Sequence, residues 1–249
     1  YFSSLFLMIS CFVNGQDTYK PQKLKKSNIL IDGIINNNEW ENAQKVILDY
    51  EVNPGNNITP KENTTAFITY TDTHLYVGIY AYANPEEVRA SVRSRDDFGM
   101  ISDDFILVRF DTYADGRNNY LLLSNAFGSQ LDARAVNALT DEERYDISFN
   151  LEYETKGTIV SDGYQVEFKI PFSSLPFPNG INQKWNFNIT RQAFREGIPI
   201  DIRSQPFDRT DPCQVCQTSD KLILSEITLE KRVELLPCLL YTSPSPRDR

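Results

Sequence analysis

Five aspartates lie within the stretch SRDDFGMISDDFILVRFD, residues 94–111. Carboxylates at this density could supply the acid and base of a glycoside hydrolase, bind a cation, or shape turns. Neighbours such as Asp96 and Asp97, or Asp103 and Asp104, point to opposite faces if they lie on a strand, so they do not automatically share a cleft. We therefore predict that these aspartates shape turns and a sheet rim, and a carboxylate-based glycoside hydrolase stays the lesser alternative.

The sequence offers few of the residues and motifs that other catalytic mechanisms require. The chain has one histidine, His74, and it lacks G-x-S-x-G, H-E-x-x-H and P-loop motifs, so no catalytic residue is assigned. The turn at residues 111–118 offers Asp111 and Asp115 as candidate calcium ligands, because calcium prefers oxygen donors. Its spacing differs from an EF-hand loop, and a plain hairpin turn is the default interpretation.

Four cysteines are present, and two of them, Cys213 and Cys216, form a C-x-x-C pair. Such a pair can be a redox motif, half of a zinc site or a local disulfide. Zinc requires four ligands, and half of them are absent here. We predict a disulfide that tightens a loop, since the chain carries signs of export to an oxidising compartment.

Both ends of the chain look different from its middle. Residues 1–15 are apolar and uncharged, which is typical of a truncated signal peptide and predicts export to the periplasm or the outer cell surface. Residues 16–28 are expected to be a polar linker. Residues 238–249 match a translated sequencing adapter, so we expect an artefact there and a fragment of metagenomic origin.

The composition excludes two classes of partner. The formal net charge is −9 and no basic stripe is present, so nucleic acid is not an expected partner. No run of the mature part is long enough to span a bilayer.

Hydrophobic residues alternate with polar residues along most of the chain, which predicts half-buried strands. The alternation is clear at residues 149–153, 164–170 and 185–189. Turn signals such as Asp-Gly and Asn-Gly separate the predicted strands. One or two short helices are predicted, at residues 38–44 and around Asn84-Pro85. The fold class is therefore all-β, an antiparallel β-sandwich.

An ordered set of motifs resembles the family 9 carbohydrate-binding modules over residues 29–230. The motifs are IDGIINNNEW at 31–40, YTDTHLYVG at 70–78, SDDFILVRFD at 102–111, YLLLSNAFG at 120–128, DGYQVEFKIP at 162–171 and WNFNITR at 185–191. The resemblance implies a β-sandwich that binds carbohydrate without catalysis, with calcium as a structural ion in some members. Most of the residues that form the sugar site of the family are not matched in this sequence. Its first aromatic position corresponds to about Met100, its acidic position to about Leu107 and its arginine position to about Leu123.

The resemblance and the local chemistry together nominate five ligand-binding residues. Phe98 and Phe207 are predicted to stack on sugar rings, and Asp97, Asn125 and Arg191 are predicted to bind hydroxyl groups.

A narrower resemblance is to large, poorly characterised exported proteins of Bacteroidota-type bacteria. It rests on RSRDD at 93–97, DTYADGRNNY at 111–120, NAFGSQLD at 125–132 and RVELLP at 232–237. In those proteins the module precedes a barrel-like region, so residues 231–237 are expected to begin a junction to a further domain. That resemblance leaves a second function open, an interaction module that packs on the further domain and binds no sugar.

Overall fold

Two β-sheets packed face to face make up the structure, a computed structural model that describes residues 17–138 and 140–227. The strands are numbered β1–β14 along the chain. One sheet has nine strands: β1 Thr18–Tyr19, β3 Tyr50–Asn53, β6 Phe105–Asp111, β7 Asn118–Asn125, β8 Gln130–Val136, β9 Tyr145–Asp146, β12 Asn182–Arg195, β13 Ile198–Arg203 and β14 Asp220–Ser225. The other has five: β2 Gln44–Ile47, β4 Thr64–Tyr70, β5 His74–Tyr82, β10 Glu154–Val160 and β11 Gly163–Pro171.

The strand order confirms the predicted antiparallel β-sandwich. The nine-stranded sheet runs β1-β14-β12-β6-β7-β8-β9, with β13 pairing the second half of β12 and β3 pairing β13. The five-stranded sheet runs β10-β11-β5-β4-β2. Among the described strands only the short β1–β14 pair is parallel. The expected signal peptide, the junction and the adapter-derived tail fall on residues that lie outside the described part of the chain.

Helical structure is short, as predicted. The helix α1 spans Asn37–Trp40 and is capped by Asn36, whose side chain accepts a hydrogen bond from the Asn38 amide. A second helix, α2, spans Asp141–Arg144. The turn predicted at Asn84 is a 3₁₀ turn, Pro85–Glu87, capped by the Asn84 side chain.

The alternating segment at residues 149–153 is not a strand, contrary to the sequence prediction. Leu151 and Tyr153 do point inward and are buried. Their polar groups, however, bond elsewhere: the Leu151 amide donates to the Asp132 carboxylate, and the Tyr153 hydroxyl donates to the carbonyls of Leu123 and Leu131. The segment crosses between the sheets, so no neighbouring strand is available to continue its ladder.

The main core fills the space between the two sheets. Inward residues of β6, β11 and β12 alternate with outward residues, as the period of two requires. At its centre Trp185 packs against Phe110, Phe172 and Phe177 at ring-centroid distances of 5.3–5.9 Å. Trp40 is also buried, on the opposite side of the five-stranded sheet. Both tryptophans lie in alternating segments of the sequence, a pattern that predicts core packing in preference to sugar stacking, and the burial of both side chains confirms that prediction.

The segment that precedes β2 covers the far side of the five-stranded sheet. Glu167 of β11 anchors it by accepting hydrogen bonds from the amides of Asp32 and Gly33 and from the Trp40 indole. Gly78 lies beneath the indole, where a Cβ atom would sit 3.0 Å from the ring. Burial raises the pKa of Glu167 to about 7 despite its three donors.

A second buried carboxylate, Asp220 at the start of β14, should make stability depend on pH. One of its oxygens accepts from the Asp17 amide, and the other has no hydrogen-bond partner among the described residues. Burial, and then repulsion from Asp17, raises its pKa from 3.8 to about 7. The folded protein therefore retains a proton that the unfolded chain releases, so stability falls as the pH rises between these two values.

We expect Asp220→Asn to flatten this dependence in urea denaturation followed between about pH 4 and pH 8. At the alkaline end the variant should be more stable than the wild type, by at most about 4 kcal/mol. Glu167 should leave a residual slope, because its pKa is raised in the same direction. An Asn variant with the full wild-type slope would contradict the assignment to Asp220.

Candidate functional site

The face of the nine-stranded sheet that points away from the main core has its own chemistry, and we call it the outer face. It is defined by Phe105, Leu107 and Arg109 of β6 and their cross-strand neighbours. Leu107 lies opposite Leu123 on one side and Thr190 on the other. Apart from Arg109, the half formed by β6, β7 and β8 is apolar near its centre and makes a second cluster with Met100 and Val215, whereas the half formed by β12 and β13 is polar.

The loop at residues 93–103 forms the rim of this face, and three of the five aspartates from the opening stretch build it. Asp97 caps the 3₁₀ turn Phe98–Ser102 by accepting from the Gly99 amide at 2.8 Å. Asp103 receives two hydrogen bonds from the Arg93 guanidinium, at 2.8 and 2.9 Å. Asp96 adopts a left-handed turn conformation, with φ of 61°.

Asp104 belongs to a buried charge network at the edge of the sandwich. Its carboxylate accepts from Arg195 at 2.8 Å, and Glu62 accepts from both Arg195 and Arg191. Burial raises the pKa of Asp104 against the pull of Arg195. Both Asp103 and Asp104 are thus held in ion pairs inside the protein, which favours the structural interpretation of these aspartates over acid–base catalysis.

Asn125 and Arg191 are both fully buried, and other residues of the protein occupy their polar groups. Asn125 has no exposed surface, and its amide donates to Ser91 and Asp103 and accepts from the amides of Phe127 and Ser129. Arg191 points between the sheets, where it donates to the Thr64 hydroxyl and the Tyr82 carbonyl. Both side chains hold the frame together and are not exposed to a sugar.

The two predicted stacking residues have different environments. Phe98 projects from the rim and is 49% exposed. Phe207 is buried, and the Arg203 guanidinium lies over its ring at 3.7 Å from the centroid. Phe98 is therefore open to a ligand, whereas the ring of Phe207 supports an arginine.

Asp111 closes the hairpin between β6 and β7. Its carboxylate accepts from the Gly116 amide at 2.8 Å and from the Asn186 side chain at 2.9 Å, and Asp115 accepts from the Arg117 amide. Among the described residues no group of three or more His, Cys, Asp or Glu side chains could hold a metal ion. The N–H donors of the turn occupy both carboxylates, and a calcium role for Asp111 and Asp115 stays a prediction.

The Cys213 and Cys216 sulfurs form a disulfide, with the Cα atoms 5.4 Å apart. This pair lies in the loop at residues 204–219, which lays Val215 onto the apolar half of the outer face. The Val215 carbonyl accepts from the Asn119 side chain at 3.2 Å. The disulfide thus shortens the loop that covers this part of the sheet.

Polar residues that the sequence analysis did not single out lie together on the other half of the outer face. Asp201 and Arg203 of β13 lie opposite Gln192 and Thr190, and Arg109 lies across β12 from them. No hydrogen bond or ion pair from another described residue reaches the Asp201 carboxylate, whose pKa is raised by burial. Two sequence features could have indicated these residues: the alternation of IPIDIR at 198–203 and the single charged residue within FILVRF at 105–110.

Two cavities flank this region. One of about 370 Å³ has an isoleucine wall from β13 and an acidic border that includes Glu51 and Glu62. The other, of about 590 Å³, lies beside the disulfide loop and is lined by Arg209 and Asp211 among others. No helix within the described residues is long and apolar enough to cross a membrane.

Comparison with known proteins finds likeness in structure. No protein-family profile and no curated protein sequence matches the chain. A protein from Bacteroides uniformis to which carbohydrate binding is provisionally ascribed superposes with a TM-score of 0.63 at 12% identity, over 84% of this chain and 99% of that one.

Two structures of a family 9 carbohydrate-binding module from Caldicellulosiruptor kristjanssonii also superpose, at 18% identity and over the full length of that module. The complex with cellotriose has a TM-score of 0.58 over 90% of this chain, and the complex with glucose has 0.53 over 88%. The described chain has the fold of the family 9 carbohydrate-binding modules.

Proposed function

We propose that this chain is a non-catalytic carbohydrate-binding module of an exported protein and holds a polysaccharide or oligosaccharide on the outer face. The observation that carries the proposal is the polar half of that face. There Asp201 and Arg203 of β13 face Arg109 of β6 across β12, and none of the three forms an ion pair within 4 Å among the described residues. The rim turn that carries the exposed Phe98 reaches this half through the hydrogen bond from the Gln192 side chain to the Ile101 carbonyl.

The chemistry of these groups suits a sugar. An aromatic ring packs against the apolar C–H face of a pyranose, while carboxylate and guanidinium groups bond its hydroxyls in a defined plane. Phe98 supplies the ring, Asp201 the acceptor and Arg203 the donor. Phe207 contributes by fixing Arg203 from below.

The structural neighbours support the ligand class. One is a module with cellotriose bound and another has glucose bound. At 18% identity the likeness shows the fold alone. That this chain also binds carbohydrate is therefore part of our proposal. Export to the periplasm or cell surface, where polysaccharides are encountered, belongs to the same proposal.

Affinity electrophoresis of the full chain tests the proposal, with gels that contain neutral or acidic polysaccharides and either calcium or a chelator. We expect retardation on a few related polymers. Phe98→Ala should weaken that binding roughly three- to tenfold, because one aromatic stack is lost.

Tyr113→Ala is the matched control, since Tyr113 is 50% exposed but lies on the β6–β7 turn at the opposite end of β6. It should leave retardation unchanged. Equal effects of the two substitutions would remove Phe98 from the site. Free migration of a folded sample on every gel would overturn the proposed function.

One observation favours a second function, an interaction module that packs on a further domain. Ile181 is 72% exposed, and its carbonyl accepts from the Glu226 amide near the last described residue. This apolar spot lies just before β12, roughly 36 Å along the strand from Gln192. The test uses a longer chain that includes the further domain. If Ile181→Asp separates the two docked domains and the chain binds no saccharide, this alternative is established.

A further inference from the structure

We infer that the saccharide held on the outer face carries an acidic group, a carboxylate or a sulfate ester, and that Arg109 and Arg203 receive it. This inference rests on the proposed function and narrows its ligand class. Neither arginine has an ion-pair partner within 4 Å among the described residues.

Arg109 is the first of the two. It lies in the middle of β6, between Leu121 of β7 and Asn188 of β12, and it is 9% exposed. Its Nε has no hydrogen-bond partner, and no ion pair to it exists among the described residues. A charge buried in this way is expensive unless it is paired. Burial accordingly lowers the pKa of Arg109.

Arg203 is the second, and it repeats the pattern one strand beyond β12. Its Nε is also buried without a partner. Its guanidinium is stacked on Phe207, which fixes the plane of the group without neutralising it. Burial, and then repulsion from Arg109, lowers the pKa of Arg203 to about 10. The two guanidinium groups are therefore close enough to repel each other.

The acidic residues on the same face do not cancel both charges. The Asp111 carboxylate is occupied by the Gly116 amide and the Asn186 side chain. Asp201 is two positions from Arg203 on the same strand, but the two side chains form no ion pair within 4 Å in the described structure. One carboxylate beside two guanidinium groups leaves an excess positive charge. The hydroxyls of a neutral sugar could fill hydrogen bonds here, but they could not supply the missing negative charge.

Carboxylate and sulfate groups fit this site in both charge and shape. Two planar guanidinium forks can donate parallel N–H bonds to paired oxygens. The protein as a whole has a net charge of −9, so its general field repels polyanions. Retention of an acidic polymer would thus require a local site such as this one.

The explanation that needs no ligand is that neighbouring aromatic rings alone accommodate the two charges. The ring of Tyr145 lies near enough to influence both arginines. Substitution of Arg109 by methionine, which keeps the length of the side chain, separates the two explanations. If the charge is kept for a ligand, Arg109→Met should raise Tm while it weakens binding. If Arg109 is there for the fold, Tm should fall.

Affinity electrophoresis of the full chain provides the binding test, at about 0.15 M salt so that exposed charges are screened. Two matched polymer pairs are used: polygalacturonate against its methyl ester, and dextran sulfate against dextran. We expect retardation on an acidic member and little on its neutral partner. Arg203→Gln and Arg109→Gln should each weaken the retardation about tenfold. Arg117→Gln removes an exposed charge on the β6–β7 turn and should change nothing.

Each outcome decides the inference. Retardation on polygalacturonate identifies a carboxylate, and retardation on dextran sulfate identifies a sulfate ester. Equal retardation on the acidic and neutral members of a pair overturns the inference and leaves the proposed function standing. Retardation that all three arginine variants share equally also overturns it, because the site is then not at Arg109 and Arg203. No retardation on any polysaccharide overturns both.

Discussion

Trp185→Ala should lower the free energy of unfolding by about 3–5 kcal/mol, the range for loss of a large aromatic side chain from a packed core. Trp185 has no exposed surface and contacts three phenylalanine rings between the sheets. Its substitution removes the transfer free energy of the indole and leaves a cavity that rigid strands cannot close. Chemical denaturation monitored by circular dichroism measures the change.

Ile181→Ala is the control for this prediction, because Ile181 lies just before the same strand but is 72% exposed. Its effect should stay within about 0.5 kcal/mol. If Trp185 instead bound a ligand, Trp185→Ala would abolish saccharide retardation, and the denaturant concentration at the midpoint of unfolding would equal that of the wild type. The structure predicts the reverse, since the side chain does not reach the outer face.

Glu62→Gln should be nearly as damaging, with an expected loss of about 3 kcal/mol. Glu62 accepts hydrogen bonds from Arg191 at 2.5 Å and from Arg195 at 2.7 and 2.8 Å. Arg191 is completely buried, so removal of the Glu62 charge that pairs with it leaves a poorly compensated cation in a low-dielectric space between the sheets. The amide oxygen of the glutamine can still accept hydrogen bonds but cannot offset the charge.

Glu87→Gln is the matched control for the charge network. Glu87 lies 3.8 Å from Arg195, and its side chain is 55% exposed. Exposed ion pairs contribute between about 0 and 1 kcal/mol, so this substitution should be close to neutral. If both variants lost a similar free energy of unfolding, burial would not determine how much these ion pairs stabilise the protein. Saccharide retardation at a temperature where both variants are folded should match the wild type.

The fold was predictable because its main signal is local. Alternation along β11 and the first half of β12 marks every second residue as inward, and the Asp-Gly turn before β11 separates it from β10. Local pattern was misleading at residues 149–153. Alternation there reflects burial of Leu151 and Tyr153 alone, whereas a strand also requires a neighbouring backbone with free donors and acceptors.

The candidate site was less predictable, because residue type alone does not indicate which side of a sheet a side chain occupies. Arg191 and Arg203 both lie on strands of the β12–β13 hairpin, yet one points between the sheets and the other to the outer face. Asn125 was nominated through a resemblance, but hydrogen bonds within the rim occupy its amide.

The sequence by itself determined that the chain forms a sandwich, that its tryptophans are core residues and that the aspartates of residues 94–111 belong to turns and a rim. These properties depend on period, turn chemistry and hydrophobicity, which are local. Only the tertiary structure decided which charged side chains contact each other. The pairing of Asp104 with Arg195, and the meeting of Arg109 with Arg203, join residues 91 and 94 positions apart. Such contacts arise from sheet register, which places distant side chains on one face and leaves some of their charges unpaired.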